Sequence, residues 1–188
     1  MTPIDPSDLQ DVQLSLRGDG DAYARLIRRY QDDIAAQMRR FTRNAAMVEE
    51  LVQDVFVEAY TSLPGYRGDA PLLHWLRRIA TRAGYRYWKQ RRRHDRGRVA
   101  LEDWDQLPAP GSGRDLQQKE AADLLDWLLG QLSPADRLAV TLLHLEELSV
   151  AQVARRTGWS RVGVKVRAHR ARKKLRAMLE KMNLSDGS

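Results

Sequence analysis

Residues 132–175 read LSPADRLAVTLLHLEELSVAQVARRTGWSRVGVKVRAHRARKKL. Ser133-Pro134 supplies an N-cap hydroxyl with proline at the first helical position, and Leu138, Thr141, Leu142 and Leu145 then fall on one inner face. Ser149, with Gln152 three residues on, is a capping-box pair that opens a short second helix. Gly158 stands where a left-handed C-cap is wanted, and Ser160 caps again. From there Val164, Ala168, Ala171, Leu175, Met178 and Met182 mark a long helix with a narrow apolar stripe. Two helices joined through Thr157-Gly158-Trp159-Ser160 have the spacing of a helix-turn-helix, whose first helix braces while the second enters a DNA major groove. With the stripe turned inward, Arg161, Lys165, Val166, His169, Arg170 and Lys173 face outward, and Arg167 counts with them as a DNA contact. Early residues of such a helix reach base edges, and later cations hold phosphates. A hairpin that only docks a protein would not call for ten cations without an acid between Ser149 and Met178.

Working toward the N-terminus, Ala121, Leu124, Leu125, Leu128 and Leu132 continue the helical spacing. Ahead of them the periodicity stops, and turn formers cluster at Leu107-Pro108-Ala109-Pro110-Gly111-Ser112-Gly113, which predicts a flexible linker. Further upstream, Tyr23, Ile27, Tyr30, Ile34, Met38 and Phe41 recur every three or four positions. A second stripe runs Val48, Leu51, Val52, Val55, Ala59 and ends at Leu63-Pro64-Gly65. Pro71 opens a third, over Leu72, Leu76, Ile79, Ala80, Ala83 and Tyr87. No strand pattern appears, so the expected fold is all-α in two small modules: a helical bundle over 1–93, a linker over 94–118 and a helix-turn-helix bundle over 119–188.

The net charge of +7 is segregated. Trp75 to Arg93 holds eight Lys+Arg and no acid, whereas residues 94–147 hold five Lys+Arg against eleven Asp+Glu. Two polyanion-binding faces joined by an acidic strap follow from that pattern, with a pair of solvated helix faces as the plainer alternative. Cysteine is absent, which excludes disulfides and thiolate chemistry, and the histidines at 74, 94, 144 and 169 form no short helical pair suited to zinc. Neither a metal nor a cofactor is expected, and no nucleophile or phosphate loop points to an enzyme. No apolar run approaches the roughly 20 residues of a membrane span. The N-terminus, MTPIDPSDLQDVQL, lacks a basic start and an apolar signal core, so a cytoplasmic protein without membrane insertion is expected.

Two further faces carry candidate chemistry. Glu50, Asp54, Val57 and Glu58 share the side of the second helix opposite its stripe, an acidic face that is either solvated surface or a dock for a basic helix. The third helix turns Trp75, Arg78, Arg82, Tyr85, Arg86, Trp88 and Lys89 largely away from its inner stripe. Aromatic rings interleaved with cations suit single-stranded DNA, because each stacked base contributes about 1–3 kcal/mol while cations follow the backbone. The competing view makes Trp75 and Tyr87 core residues.

These residues resemble the extracytoplasmic-function sigma factors, the minimal bacterial RNA polymerase sigma factors. AMVEELVQDVFVEAYTSL resembles the second conserved region of that family, and PLLHWLRRIATRAGYRYWKQRRR its promoter-melting helix. LSPADRLAVTLLHLEELSVAQVARRTGWSRVGVKVRAHRARKKL resembles the fourth region, and the likeness spans about residues 20–181. The resemblance implies that Glu50, Leu51, Gln53, Asp54 and Phe56, with Val57 and Glu58, form or support the surface that docks on the coiled coil of the polymerase beta-prime subunit. It implies that the third helix and the loop before it, including Tyr66 and Arg67, capture the minus-ten element, while the final helix reads the minus-thirty-five element. Core RNA polymerase, through its beta-prime and beta subunits, promoter DNA and an anti-sigma factor are the implied partners of a chain that is monomeric when free. Where family members often carry asparagine and aspartate, this chain has Arg82 and Arg86, and Gly163 stands inside the recognition helix at a cost of about 1 kcal/mol. A dimeric helix-turn-helix regulator is the rival reading, but it would not need the Trp75–Arg93 stretch. A nuclease built on Glu50, Asp54 and Glu58 is a further one.

Overall fold

The computed structural model describes residues 5–97 and 114–185, with side chains described over 5–94 and 121–182. Eight α-helices follow one another among these residues: α1 Pro6–Leu16, α2 Gly20–Met38, α3 Ala45–Ser62, α4 Leu72–Gly97, α5 Arg114–Gly130, α6 Pro134–Val140, α7 Val150–Thr157 and α8 Arg161–Ser185. A 3-10 turn, Leu63–Gly65, follows α3, and a π turn, Thr141–Leu145, follows α6. No strand occurs among the described residues, as expected for an all-α chain.

The chain divides into two compact units after Trp88, within α4, rather than after residue 93. Both ends of the expected linker are helical: α4 runs on to Gly97 through a run of arginines that favour helix, and α5 begins at Arg114. The proline- and glycine-rich stretch at its centre lies outside the described residues.

In the first unit, Ala22, Leu26, Ile34, Met38 and Phe41 of the α2 segment meet Val48, Leu51, Val55, Phe56 and Ala59 of α3 and Leu72, Leu76, Ile79, Ala80 and Ala83 of α4. Polar bonds inside this core set the register. Gln37 Nε2 donates to Thr81 Oγ1 at 3.0 Å and to the Arg77 carbonyl at 3.3 Å, and the Tyr23 hydroxyl donates to the Phe56 carbonyl at 2.5 Å.

Helix α1 has a short apolar row, Leu9, Val12 and Leu16, but only Val12 of it is buried. Asp5 caps it by accepting from the Ser7 amide at 2.8 Å, Pro6 sits at its start, and its buried face is Asp8, Asp11, Val12 and Ser15. Buried carboxylates need partners. Arg29 pairs with both Asp8 and Asp11, Arg25 pairs with Asp11 at 2.7 Å, and the Tyr30 hydroxyl donates to Asp8 at 2.5 Å.

In the second unit, Leu129, Leu132, Val140 and Ala171 form a core cluster with Leu175 against it, beside Leu138, Leu142, Val153, Val164 and Ala168. One expected core residue is not there: Leu145 is 40% exposed. The π turn is the cause, since Glu146 N–H bonds the Thr141 carbonyl at 3.0 Å, five residues back, and the added residue rotates Leu145 off the inner face.

Candidate nucleic-acid interface

The helix-turn-helix is built by the caps that its sequence implies. Ser149 Oγ accepts from the Gln152 amide at 3.3 Å while Gln152 Oε1 accepts from the Ser149 amide at 2.8 Å. Gly158 ends α7 at φ 78°, a left-handed conformation that an L side chain resists. Ser160 Oγ then accepts from the Gly163 amide at 3.0 Å and starts α8. Arg156 and Glu146, both largely enclosed, pair at 2.5 Å and tie α7 to the π turn.

Along α8 the stripe Val164, Ala168, Ala171 is sealed, and Arg161, Lys165, Val166, His169, Arg170 and Lys173 are all exposed on the other side. Val166 is 41% exposed, so its methyl groups are available to an apolar contact. Arg167 differs from the rest. Its guanidinium lies over the Trp159 ring at 4.3 Å and its Nη1 donates to the Gly163 carbonyl at 2.9 Å. A Cβ on Gly163 would stand 2.8 Å from that Nη1 and 3.1 Å from Ser160 Oγ. The glycine that looks costly in a helix thus leaves room for Arg167 to fold back and brace the turn.

Along α4, Arg78, Arg82, Arg86 and Lys89 are exposed, and Tyr85 and Trp75 are half-buried. Ahead of the helix, Arg67 is exposed, and the Tyr66 ring packs against Trp75 at 5.5 Å between centroids, its hydroxyl donating to the Ala70 carbonyl at 2.7 Å. Trp88 does not belong to this surface. It is 4% exposed, its ring packs on Phe41 at 4.5 Å and its Nε1 donates to the Phe41 carbonyl at 2.8 Å. The inner row of α4 runs Leu76, Ala80, Gly84, Trp88, four residues apart, because Gly84 has no side chain to hold Phe41 away. Tyr87, expected on the inner stripe, is half-buried.

On α3, Glu50, Gln53, Asp54 and Val57 are exposed, Val57 at 66%, and Glu58 is half-buried. Leu51 and Phe56 lie in the core directly beneath them. Glu58 reaches across to α4 and pairs with Arg86 at 2.5 Å, so the acidic and the basic faces touch. Sequence reasoning missed the apolar side of this surface. Tyr23 and Ile27 of α2, read as core, instead line an open groove against Val48, Val52 and Tyr60 of α3, with Tyr60 half-exposed and packed edge-on against Tyr23 at 4.8 Å. Burial, and then the neighbouring Tyr60, push the Tyr23 phenol well above its ordinary range.

This all-α chain presents two cationic helices, one on a helix-turn-helix and one on a bundle with an acidic face, the charge pattern of a nucleic-acid-binding protein. Residues 26–94 match the family model of Sigma-70 region 2 and residues 122–175 that of Sigma-70, region 4. The RNA polymerase sigma factor CarQ of Myxococcus xanthus is 31% identical over 167 residues, which cover 89% of this chain and 94% of that protein. The ECF RNA polymerase sigma-E factor of Escherichia coli is 28% identical over 151 residues, 76% of this chain and 78% of that one. Among solved structures, the sigma factor RpoE of Bartonella quintana, crystallised with the anti-sigma factor NepR, shares the fold at a TM-score of 0.54 and 23% identity, covering 84% of this chain and 96% of that one. This chain belongs to the RNA polymerase sigma factors, in the extracytoplasmic-function group, which direct the polymerase to promoters. No helix among the described residues is long and apolar enough to cross a membrane.

Proposed function

We propose that α3 docks this sigma factor on core RNA polymerase and that α4 and α8 then read one promoter element each. The observation that carries the reading is the sorting of α8. Its apolar stripe is sealed, while Arg161, Lys165, His169, Arg170 and Lys173 all stand exposed along the opposite side. Such a helix gains most from a polyanion, and its early residues Arg161, Lys165 and Val166 are placed to reach base edges of the minus-thirty-five element. Arg167 serves there by bracing the turn.

On α4, Arg78, Arg82, Arg86 and Lys89 track the backbone of the opened minus-ten strand, with Tyr66, Arg67, Trp75 and Tyr85 beside it for base contacts. Glu50, Gln53, Asp54, Val57 and Glu58 form the dock for a basic coiled coil of the beta-prime subunit, supported from beneath by Leu51 and Phe56. The apolar groove of Tyr23, Ile27 and Tyr60 extends that dock beyond charge alone. In this scheme residues 1–93 are the minus-ten module, 94–118 the acidic strap that threads through the polymerase toward the RNA exit path and 119–188 the minus-thirty-five module. The chain works in the cytoplasm as a monomer until it joins polymerase, takes no metal or cofactor and catalyses nothing, the polymerase performing the chemistry. An anti-sigma factor holds it in reserve, as NepR binds the sigma factor of similar fold.

Transcription by purified core polymerase over a library of promoter fragments tests this. Wild type confers start-site selection, and Asp54→Arg abolishes it by placing a cation against a basic partner. Full activity of Asp54→Arg would overturn the docking assignment.

A further inference from the structure

Helix α1 lies ahead of residue 26, where the family match begins, yet it is fastened with more care than a solvated leader needs. Asp8 and Asp11 are 2% and 5% exposed, and every charge taken out of water there is matched by Arg25, Arg29 or the Tyr30 hydroxyl. What the fastening holds in place is Leu9, the residue after Asp8. Leu9 is 37% exposed, so it adds little to the core. Its Cδ2 instead lies 3.1 Å from where a Cβ would stand on Gly68, a residue held at φ 75° in the loop between α3 and α4. The neighbouring Tyr66 phenol is pushed above its ordinary range by burial and then by the charges of Asp8 and Asp69. Tyr66 in turn packs on Trp75, at the start of the cationic face of α4.

We infer that α1 positions the minus-ten loop: Asp8 and Asp11 lock the helix to α2, and Leu9 then backs the loop at Gly68 so that Tyr66 and Trp75 stand in one arrangement for an unpaired base. Leu9 touches no DNA in this scheme and acts through the loop. The inference rests on the assignment of α4 and its loop to the minus-ten element. It makes Leu9 a positioning residue whose removal loosens a loop without opening a cavity in the core.

The test uses full-length protein in holoenzyme with purified core polymerase, on promoter fragments randomised through the minus-ten region. Leu9→Ala should lower open-complex formation by about tenfold, read by permanganate reactivity of unpaired thymines, and flatten the base preference at the captured position. Core affinity, measured by competition with wild type, the melting temperature and the minus-thirty-five preference stay unchanged, and Leu9→Met restores the wild-type profile. Gly68→Ala disturbs the same contact from the loop side and should alter the same base position. A wild-type base profile and opening rate in Leu9→Ala overturn the inference, as does a loss that merely follows core affinity. If wild type itself selects no minus-ten sequence, the underlying assignment fails instead.

Discussion

Replacing Trp88 by alanine separates a core role from a DNA-stacking role. The side chain is 4% exposed, packed at a tilt against the Phe41 ring at 4.5 Å and bonded through Nε1 to the Phe41 carbonyl at 2.8 Å. Removing a buried tryptophan costs about 3–5 kcal/mol in lost burial and residual cavity. Leaving the Phe41 carbonyl without its donor adds about 1 kcal/mol. Trp88→Phe keeps the ring contact and loses the N–H, so it should cost about 1–3 kcal/mol. Against a domain stability of about 5–15 kcal/mol, the alanine variant loses a large share of its margin while the phenylalanine variant keeps most of it. Urea denaturation followed by far-ultraviolet circular dichroism measures both. With a slope of about 2 kcal/mol per molar, the midpoint of the first transition falls by roughly 2–3 M for alanine and about 1 M for phenylalanine. A Trp88→Ala protein as stable as wild type but unable to open promoters would refute the core assignment.

Gly84→Ala tests the same contact from the opposite side. The added Cβ would stand 2.4–2.5 Å from three ring atoms of Phe41, so the overpacking cost of about 1–3 kcal/mol should exceed the roughly 1 kcal/mol gained in helix propensity; a stabilised variant would contradict the packing. The phenols of Tyr23, Tyr30 and Tyr66 are all held above their ordinary 10.0, chiefly by burial. The folded protein therefore keeps protons that the unfolded chain releases, so the stability they contribute is whole below pH 10 and is lost as pH rises through the raised folded values. Melting temperature should fall above pH 10, and less steeply in Tyr30→Phe; parallel curves would count against the buried phenol. Lys173→Ala should reduce the salt slope of binding to a minus-thirty-five duplex by about 1 and leave base preference alone, whereas Arg161→Ala should relax preference at one position. The reverse assignment of effects would place the helix N-terminus away from the bases.

Most of the helical architecture was legible because its signals are local. Ser133-Pro134, the Ser149 and Gln152 pair and Gly158 each name a helix end from two or three residues, and the structure realises all three. The exposed cations of α8 followed from its stripe by geometry alone. What escaped depends on contacts distant in sequence or on a break in period. Helix α1 buries carboxylates that only Arg25, Arg29 and Tyr30 make tolerable, a buried face that no hydrophobic pattern announces. Leu145 left the core through one π turn, and Trp88 entered it because Gly84 admits Phe41 from the turn after α2. Tyr23 and Ile27 share helical spacing with true core residues, and only the packing of α2 on α3 turns them toward an open groove.

The central claim is that two separate cationic helices, one per module, become sequence readers at a fixed spacing once polymerase holds them. Selection by holoenzyme from fragments randomised at both promoter elements and in the spacer length tests it most directly. The account predicts a two-part motif with one preferred spacer, in which Lys165→Ala erases the upstream half and Tyr85→Ala alters only the downstream half. Recovery of a single palindromic duplex bound by the free protein as a dimer, with both variants weakening all of it together, would contradict it.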